Sequence, residues 1–171
     1  PRGVQTVVHQ IFRISERFVT LTDVFLDVSR LEAGQLRLER SEVRIEDLVN
    51  SAIAEFQPEL RVKKDIRIRT EFPAPSAPSL VVDRGKIYNV IFNLLDNAIK
   101  YTERGTILIR AAVEDGWLTV SVKDTGIGIA KNEAPALFAK FVRGDGGLLL
   151  HPNGAGLGLY VIKMFVEAHG G

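Results

Sequence analysis

Asn89-Val-Ile-Phe-Asn93-Leu-Leu-Asp-Asn97-Ala-Ile-Lys100-Tyr101 is the stretch on which the reading of the fold turns. Its asparagines recur every fourth residue, so on a helix they stack along one side, with Lys100 and Tyr101 extending that side at its end. The spacing of Ile87, Val90, Ile91, Leu94 and Ala98 predicts a buried stripe on the other side. Asp83 is placed to cap such a helix, which should run to about Tyr101. Before it, Ile66-Arg-Ile-Arg-Thr70 alternates as a strand with one wet face, Pro73–Pro78 is a stiff loop, and Leu80-Val-Val82 reads as a short buried strand. Earlier still, Val43-Arg-Ile45 reads as a strand. A helix follows from Glu46 and Asp47, with Leu48, Ala52, Ile53 and Phe56 buried and Pro58 ending or kinking it. After the asparagine helix, 106–113 and 118–122 are strands around Asp115-Gly116, a hairpin signal. Residues 126–158 are glycine-rich and irregular, with a short helix near 134–141, and a last helix is expected from about Leu157 to Ala168.

The N-terminal part is different. Val4, Val7, Ile11, Ile14, Phe18, Leu21, Phe25 and Val28 advance by steps of three and four, an a/d seam. Val8, Phe12, Val19 and Leu26 add a second apolar row, which suits a helix in a bundle. Gly34 should stop that helix. The organisation read from this is a bundle helix over 1–36 and an α/β domain over 37–171.

The 171 residues include no cysteine, which excludes disulfides and thiolate metal sites. Only three His are present, scattered along the chain, which argues against a His-rich metal site. A net charge of +1 gives no bulk attraction to nucleic acid or an anionic membrane, and no apolar run is long enough to span a bilayer. The start at Pro1, with no Met, reads as a cut from something longer.

Three segments carry candidate chemistry. An asparagine carbonyl is a neutral hard oxygen that can complete a Mg²⁺ shell already rich in phosphate, and Lys100 adds a point charge within reach of a polyphosphate. The stack on its own is equally well read as a solvated helix face. Asp124-Thr-Gly126-Ile-Gly128-Ile129 follows a strand; its carboxylate can accept from an exocyclic amine such as adenine N6, although a plain turn also explains it. Gly154-Ala-Gly156-Leu-Gly158-Leu159 opens the last helix as an anion cradle. It lacks the preceding strand and later acid of a Rossmann turn, and the Lys-Ser/Thr of a P-loop.

Taken in order, these segments resemble the Bergerat-type ATP-binding domain, and their wording is similar to bacterial sensor histidine kinases. Asn93–Thr102 resembles the N box, Asp124–Ile129 the first glycine box, Phe138-Ala-Lys-Phe141-Val-Arg143 the phenylalanine box, and Gly154–Leu159 the second glycine box. Asp27–Gly34 looks like the end of a second dimerisation helix, and Val166-Glu-Ala-His169-Gly-Gly171 like the run before a last hairpin. The resemblance implies a two-layer α/β sandwich, a mixed sheet with helices on one face, preceded by one long bundle helix. It implies that Asn97 ligates Mg²⁺, that Asn93 supports metal and phosphates, and that Lys100 and Tyr101 touch phosphate. Asp124 would read adenine, with Gly126 and Gly128 shaping that end. Arg143 would reach the γ-phosphate, and Gly154, Gly156 and Gly158, with Leu159, would form the hinge and cradle. The chain between Gly128 and Gly154 would be a lid over ATP. The implied catalytic set is Asn93, Lys100 and Arg143; the implied partners are a second copy through the N-terminal helix and a response-regulator receiver domain. The implied location is the cytoplasm, beneath a sensor that can itself be membrane-anchored.

The likeness is incomplete in two places. The family's phosphoacceptor motif, His-Glu/Asp-x-Arg-Thr-Pro, is not among these residues; His9 lacks the acid and the Thr-Pro, and His151 and His169 lack the context. The family also continues after His-Gly-Gly with two strands and a Gly-Thr segment. Without them the sheet should expose an edge beside the strand leading to Asp124, with weaker ATP binding or marginal stability. Two other readings use the same residues: a Bergerat-fold ATPase or serine-directed kinase, and a non-catalytic dimerising module.

Overall fold

In the computed structural model the described residues are 22, 25–31, 33–73, 77–140, 142 and 156–171. The chain divides into two units, Pro1–Arg37 and Leu38–Gly171. In the first, residues 25–31 are helical (α1), Val28 is buried, and Phe25 and Leu26 are exposed. Gly34, at φ +66°, closes α1 as anticipated: its N–H donates to the Leu31 carbonyl and the Gln35 N–H to that of Arg30. The seam expected over residues 4–21 lies outside the described residues.

The second unit runs β1 (Arg40–Val43), α2 (Ile45–Glu55), α3 (Gln57–Val62), β2 (Ile66–Glu71), β3 (Leu80–Asp83), α4 (Arg84–Tyr101), β4 (Gly105–Glu114), β5 (Trp117–Lys123), a 3₁₀ turn Ala134–Ala136, and α5 (Gly158–Ala168). The strands form two sheets rather than one. A three-stranded mixed sheet has the order β2-β4-β5, with β2 parallel and β5 antiparallel to β4; β1 and β3 form an antiparallel ribbon. The β4–β5 hairpin turns on Asp115 (φ +51°) and Gly116 (φ +81°), the paired positive φ values that match the right-handed twist of the strands.

One face of the mixed sheet makes the core. Ile107, Ile109 and Ala111 alternate along β4 and are buried, and Leu118, Val120 and Val122 of β5 pack beside them. Against this face lie Ile91, Leu95, Ala98 and Ile99 of α4 and Leu48, Val49 and Ala52 of α2. Asp83 caps α4: Oδ1 accepts from the Lys86 N–H at 3.0 Å and Oδ2 from the Glu39 N–H at 3.0 Å. The buried Glu46 carboxylate accepts the Ala77 N–H at 2.7 Å, tying the end of the proline-rich loop to the first turn of α2.

Several local expectations shift. The first strand ends at Val43, and Ile45 already opens α2, because Ile45 is buried with Leu48 and Val49 on that helix's inner face. Phe56 breaks the next helix, and Pro58 lies in the first turn of α3, where a missing N–H costs nothing. Val81 is 67% exposed, not buried, because β3 pairs only with β1 in a ribbon whose outer face is open. The helix expected near 134–141 is a single 3₁₀ turn. On α4 the fully buried leucine is Leu95, not Leu94, which is half-buried. The buried arc is widened because both the sheet and α2 pack against it, drawing in Leu95 and Ile99.

Leu95→Ala should therefore cost about 2–5 kcal/mol in urea unfolding, and Leu94→Ala distinctly less. Tyr88 of α4 donates to Glu55 of α2, and burial, then the hydrogen bond and charge of Glu55, pushes its phenol well above its ordinary value of 10.0. The protonated phenol is thus favoured by folding. That stability is fully present below pH 10 and is lost as pH rises beyond it. Unfolding measured from pH 9 upward should show a steeper alkaline fall in the native protein than in Tyr88→Phe.

Candidate functional site

The candidate site is built on the polar side of α4, where it meets the turn after β5 and the start of α5. Asn93 donates from Nδ2 to the Asn89 carbonyl at 2.9 Å and to Asn89 Oδ1, so the lower part of the stack is internally bonded. Asn97, half-buried one turn on, makes no side-chain hydrogen bond to another described residue. Lys100 is paired with Asp96, one turn before it on the same helix. Its ammonium is thereby held on the helix side that carries the stack, and a phosphate would have to share it with Asp96.

At the end of α4 the chain returns to meet the turn after β5. The Ile127 N–H donates to the Tyr101 carbonyl at 3.2 Å, and the Asp124 carboxylate accepts the Gly126 N–H through Oδ1 at 2.8 Å. A Cβ on Gly126 would lie 2.2 Å from that same Tyr101 oxygen, so only glycine fits. Thr125 adds a second stitch, its Oγ1 accepting the Thr106 N–H at 3.0 Å from the start of β4. These bonds leave Asp124 exposed at a fixed point, with Ile127 and Ile129 exposed beside it as an apolar ledge. A carboxylate next to apolar side chains suits a flat heterocycle with an exocyclic amine.

The third segment arrives at the middle of the asparagine stack, at Asn93. Gly156 has φ +67°, and α5 starts at Gly158, where a Cβ would be 3.1 Å from Asn93 Oδ1. Leu157 gives α5 no side-chain cap, and the start of a helix favours an anion through its first N–H groups. Leu159 is half-buried in that first turn. Lys140, from the phenylalanine-box segment, lies 5.2 Å from the centre of the Tyr160 ring, so that segment reaches the same turn.

The structure thus brings Asn93 together with Gly158, and the Tyr101 carbonyl and the Asp124 carboxylate each against Gly126. Gly128, at φ +72°, stands in open space, and a Cβ there would meet nothing within 4 Å. Arg143 and Gly154, together with His9 and His151, lie outside the described residues. Asp96, Thr125 and the Lys140–Tyr160 pair were not picked out from sequence. Asp96 was signalled by its place four residues before Lys100, whereas the other contacts join segments far apart in the chain. Two surface cavities lie away from the site. One of about 550 Å³ is lined by Glu71, Phe72, Pro73 and β4 residues 110–114; the other, of about 320 Å³, lies around Ser51, Glu55, Arg84 and Tyr88. Among the described residues the candidate site is an open shelf between three chain segments.

This combination of a two-layer α/β fold, an amide-bearing helix and two glycine-rich turns defines an ATP-binding domain. Residues 82–171 match the family model of histidine kinase-, DNA gyrase B-, and HSP90-like ATPases, and the chain belongs to that family. Among relatives, it is 32% identical over 166 residues to the sensor protein GacS of Pseudomonas syringae pv. syringae, covering 94% of this chain and 18% of that protein. It is 34% identical over 160 residues to the sensory/regulatory protein RpfC of Xanthomonas campestris pv. campestris, covering 90% of this chain and 22% of that one. The chain therefore spans about a fifth of the length of these curated relatives. Among solved structures, full-length ShkA in complex with AMPPNP superposes with a TM-score of 0.75 at 30% identity, covering 90% of this chain and 31% of that one. Among the described residues no helix is long and apolar enough to cross a membrane.

Gly126→Ala should lose about 1–3 kcal/mol in urea unfolding, because the methyl group collides with backbone that cannot swing away. Gly128→Ala, which meets only the left-handed backbone cost, should lose about 1 kcal/mol.

Proposed function

We propose that this chain is the ATP-binding catalytic part of a sensor histidine kinase, which transfers the γ-phosphoryl group of ATP to a histidine for relay to a receiver domain. The observation that carries the reading is the convergence at Asn93. The start of α5 has no side-chain cap, and a Cβ on Gly158 would lie 3.1 Å from Asn93 Oδ1, so the first turn of α5 stands close beside the amide stack. That is a place for a polyphosphate and the cation it brings. Phosphoryl transfer asks the protein mainly for positioning and charge neutralisation.

Each role then falls to a named residue. The Asn97 carbonyl oxygen, half-buried and uncommitted among the described residues, fits a hard cation as one neutral ligand, the rest coming from phosphate and water. Mg²⁺ held there would neutralise phosphate charge. Asn93 supports the phosphates; Lys100, released in part from Asp96, and Tyr101 flank them. Asp124 accepts the adenine amine, with Gly126 and Gly128 shaping the turn and Ile127 and Ile129 against the ring. Gly154, Gly156, Gly158 and Leu159 form the phosphate cradle, and Arg143 approaches the γ-phosphate; for Arg143 and Gly154 the support is the likeness of their boxes. The exposed Phe25 and Leu26 of α1, on the two apolar rows, support a homodimer through the N-terminal helix. The site of action is the cytoplasm, where ATP is.

Calorimetric titration with Mg-AMPPNP tests this. Asn97→Ala should weaken binding about tenfold or more, and unchanged affinity would remove Asn97 from the metal site. Asp124→Ala should abolish the preference for ATP over GTP; a preserved preference would assign adenine recognition elsewhere.

A further inference from the structure

We propose that His169 is a positioning residue for the nucleotide site: its neutral ring locks the axial register of α5 on α4, and so holds Gly158 against Asn93. The inference rests on the reading of that junction as the nucleotide site. The ring is bonded at both nitrogens. Nδ1 lies 2.6 Å from the Phe165 carbonyl, which can only accept, so Nδ1 carries the proton. Nε2 receives the Asp83 N–H at 3.0 Å, so Nε2 carries none. Asp83 is also the N-cap of α4, which makes this bond a direct tie between the start of one helix and the end of another.

The end of α5 is itself fixed. The Gly170 N–H donates to the Glu167 carbonyl and the Gly171 N–H to that of Val166, both at 3.0 Å, with Gly170 at φ +87°. This closure sets the backbone of His169 as the C-cap. The two helices then meet at two points: Asp83 with His169, and Asn93 with Gly158. The end of α5 meets the start of α4 and the start of α5 lies beside the middle of α4, so the two run antiparallel. The anchors are ten residues apart on α4 and eleven on α5, about 15 and 16.5 Å at the helical rise. Between them α5 buries Val161, Ile162, Met164 and Phe165, and Lys86 lies 5.3 Å from the centre of the Phe165 ring. Apolar contact is non-directional and fixes axial register less sharply than a bond that needs one donor opposite one acceptor. The imidazole bond is directional and sits at the far end of the same rigid rod. A Cβ on Gly158 would lie 3.1 Å from Asn93 Oδ1, so the start of α5 is close enough to the amide for a change in register to alter that neighbourhood.

The amide substitutes separate the two bonds of the ring. In His169→Gln the terminal oxygen comes near the position of Nε2 and can accept from Asp83; in His169→Asn the amide reaches only the position of Nδ1 and keeps only the bond within α5. In the 171-residue chain, His169→Asn and His169→Ala should weaken Mg-AMPPNP binding about three- to tenfold, the worth of one hydrogen bond, with His169→Gln within about twofold of the native protein. Amide exchange measured without nucleotide should quicken at Asp83 and Leu159 in the Asn variant and not in the Gln variant. Nitrogen NMR of the native imidazole should report the Nδ1–H tautomer. The proposal is overturned by an Asn variant that exchanges like the native protein, by a Gln variant as weak as the Ala variant, or by an Nε2–H ring. A native protein that binds no nucleotide, yet shows the exchange pattern, overturns the nucleotide reading and leaves the register lock standing. If the Ala variant fails to fold, the Asn–Gln comparison and the native tautomer still decide.

Discussion

Helix α4 must satisfy two opposite demands, and the rest of the domain is arranged around that constraint. One side buries Val90, Ile91, Leu95, Ala98 and Ile99, chiefly against the mixed sheet and α2. The other carries three asparagines, an amide type that weakens helices by competing for backbone hydrogen bonds. The helix therefore depends on support from outside itself: the Asp83 cap at its start, apolar burial along its inner face, and the Gly126–Ile127 turn bonded to its final carbonyl. Each of these supports also places something useful. The cap ties in α5, and the turn sets Asp124.

The electrostatics of the site follow from this arrangement. No large bulk charge draws in a ligand, since acids and bases nearly cancel over the chain. Attraction is local and comes from oriented dipoles: the first N–H groups of α5 and the amides of α4, with Lys100 already partly neutralised by Asp96. Fixed dipoles need no reorganisation when phosphate charge arrives, which is an advantage for a reaction that gains little from covalent help. The same economy makes geometry decisive, because a dipole displaced by an ångström loses much of its effect.

Much of the domain was legible in sequence because its signals are local. Alternation marked β2, β4 and β5; Asp115-Gly116 marked the hairpin; Asp83 and the four-residue spacing marked α4 and its polar stripe. The order of the asparagine, aspartate and glycine segments pointed to the ATP-binding family, and residues 82–171 match it. What was misread depended on neighbours. Periodicity centres the stripe on Leu94, and Leu95 is buried because the sheet and α2 together widen the buried arc. Val81 is an apolar residue in a strand, and its exposure follows from that strand having one partner.

The sequence by itself determined which residue types stand at which helical and strand positions, and hence the family and the candidate ligands of the nucleotide. Backbone preferences and hydrophobic period act over a few residues, so they can be read along the chain. Only the tertiary structure decided which of those residues share a volume. Gly126 is required because the Tyr101 carbonyl happens to be 2.2 Å from where its side chain would begin, and Gly158 meets Asn93 from a distant part of the chain. His169, a plain helix-end residue in sequence, acquires its partner from Asp83, 86 residues earlier. Such contacts are set by the packing of α5 on α4, and packing is a property of the whole fold.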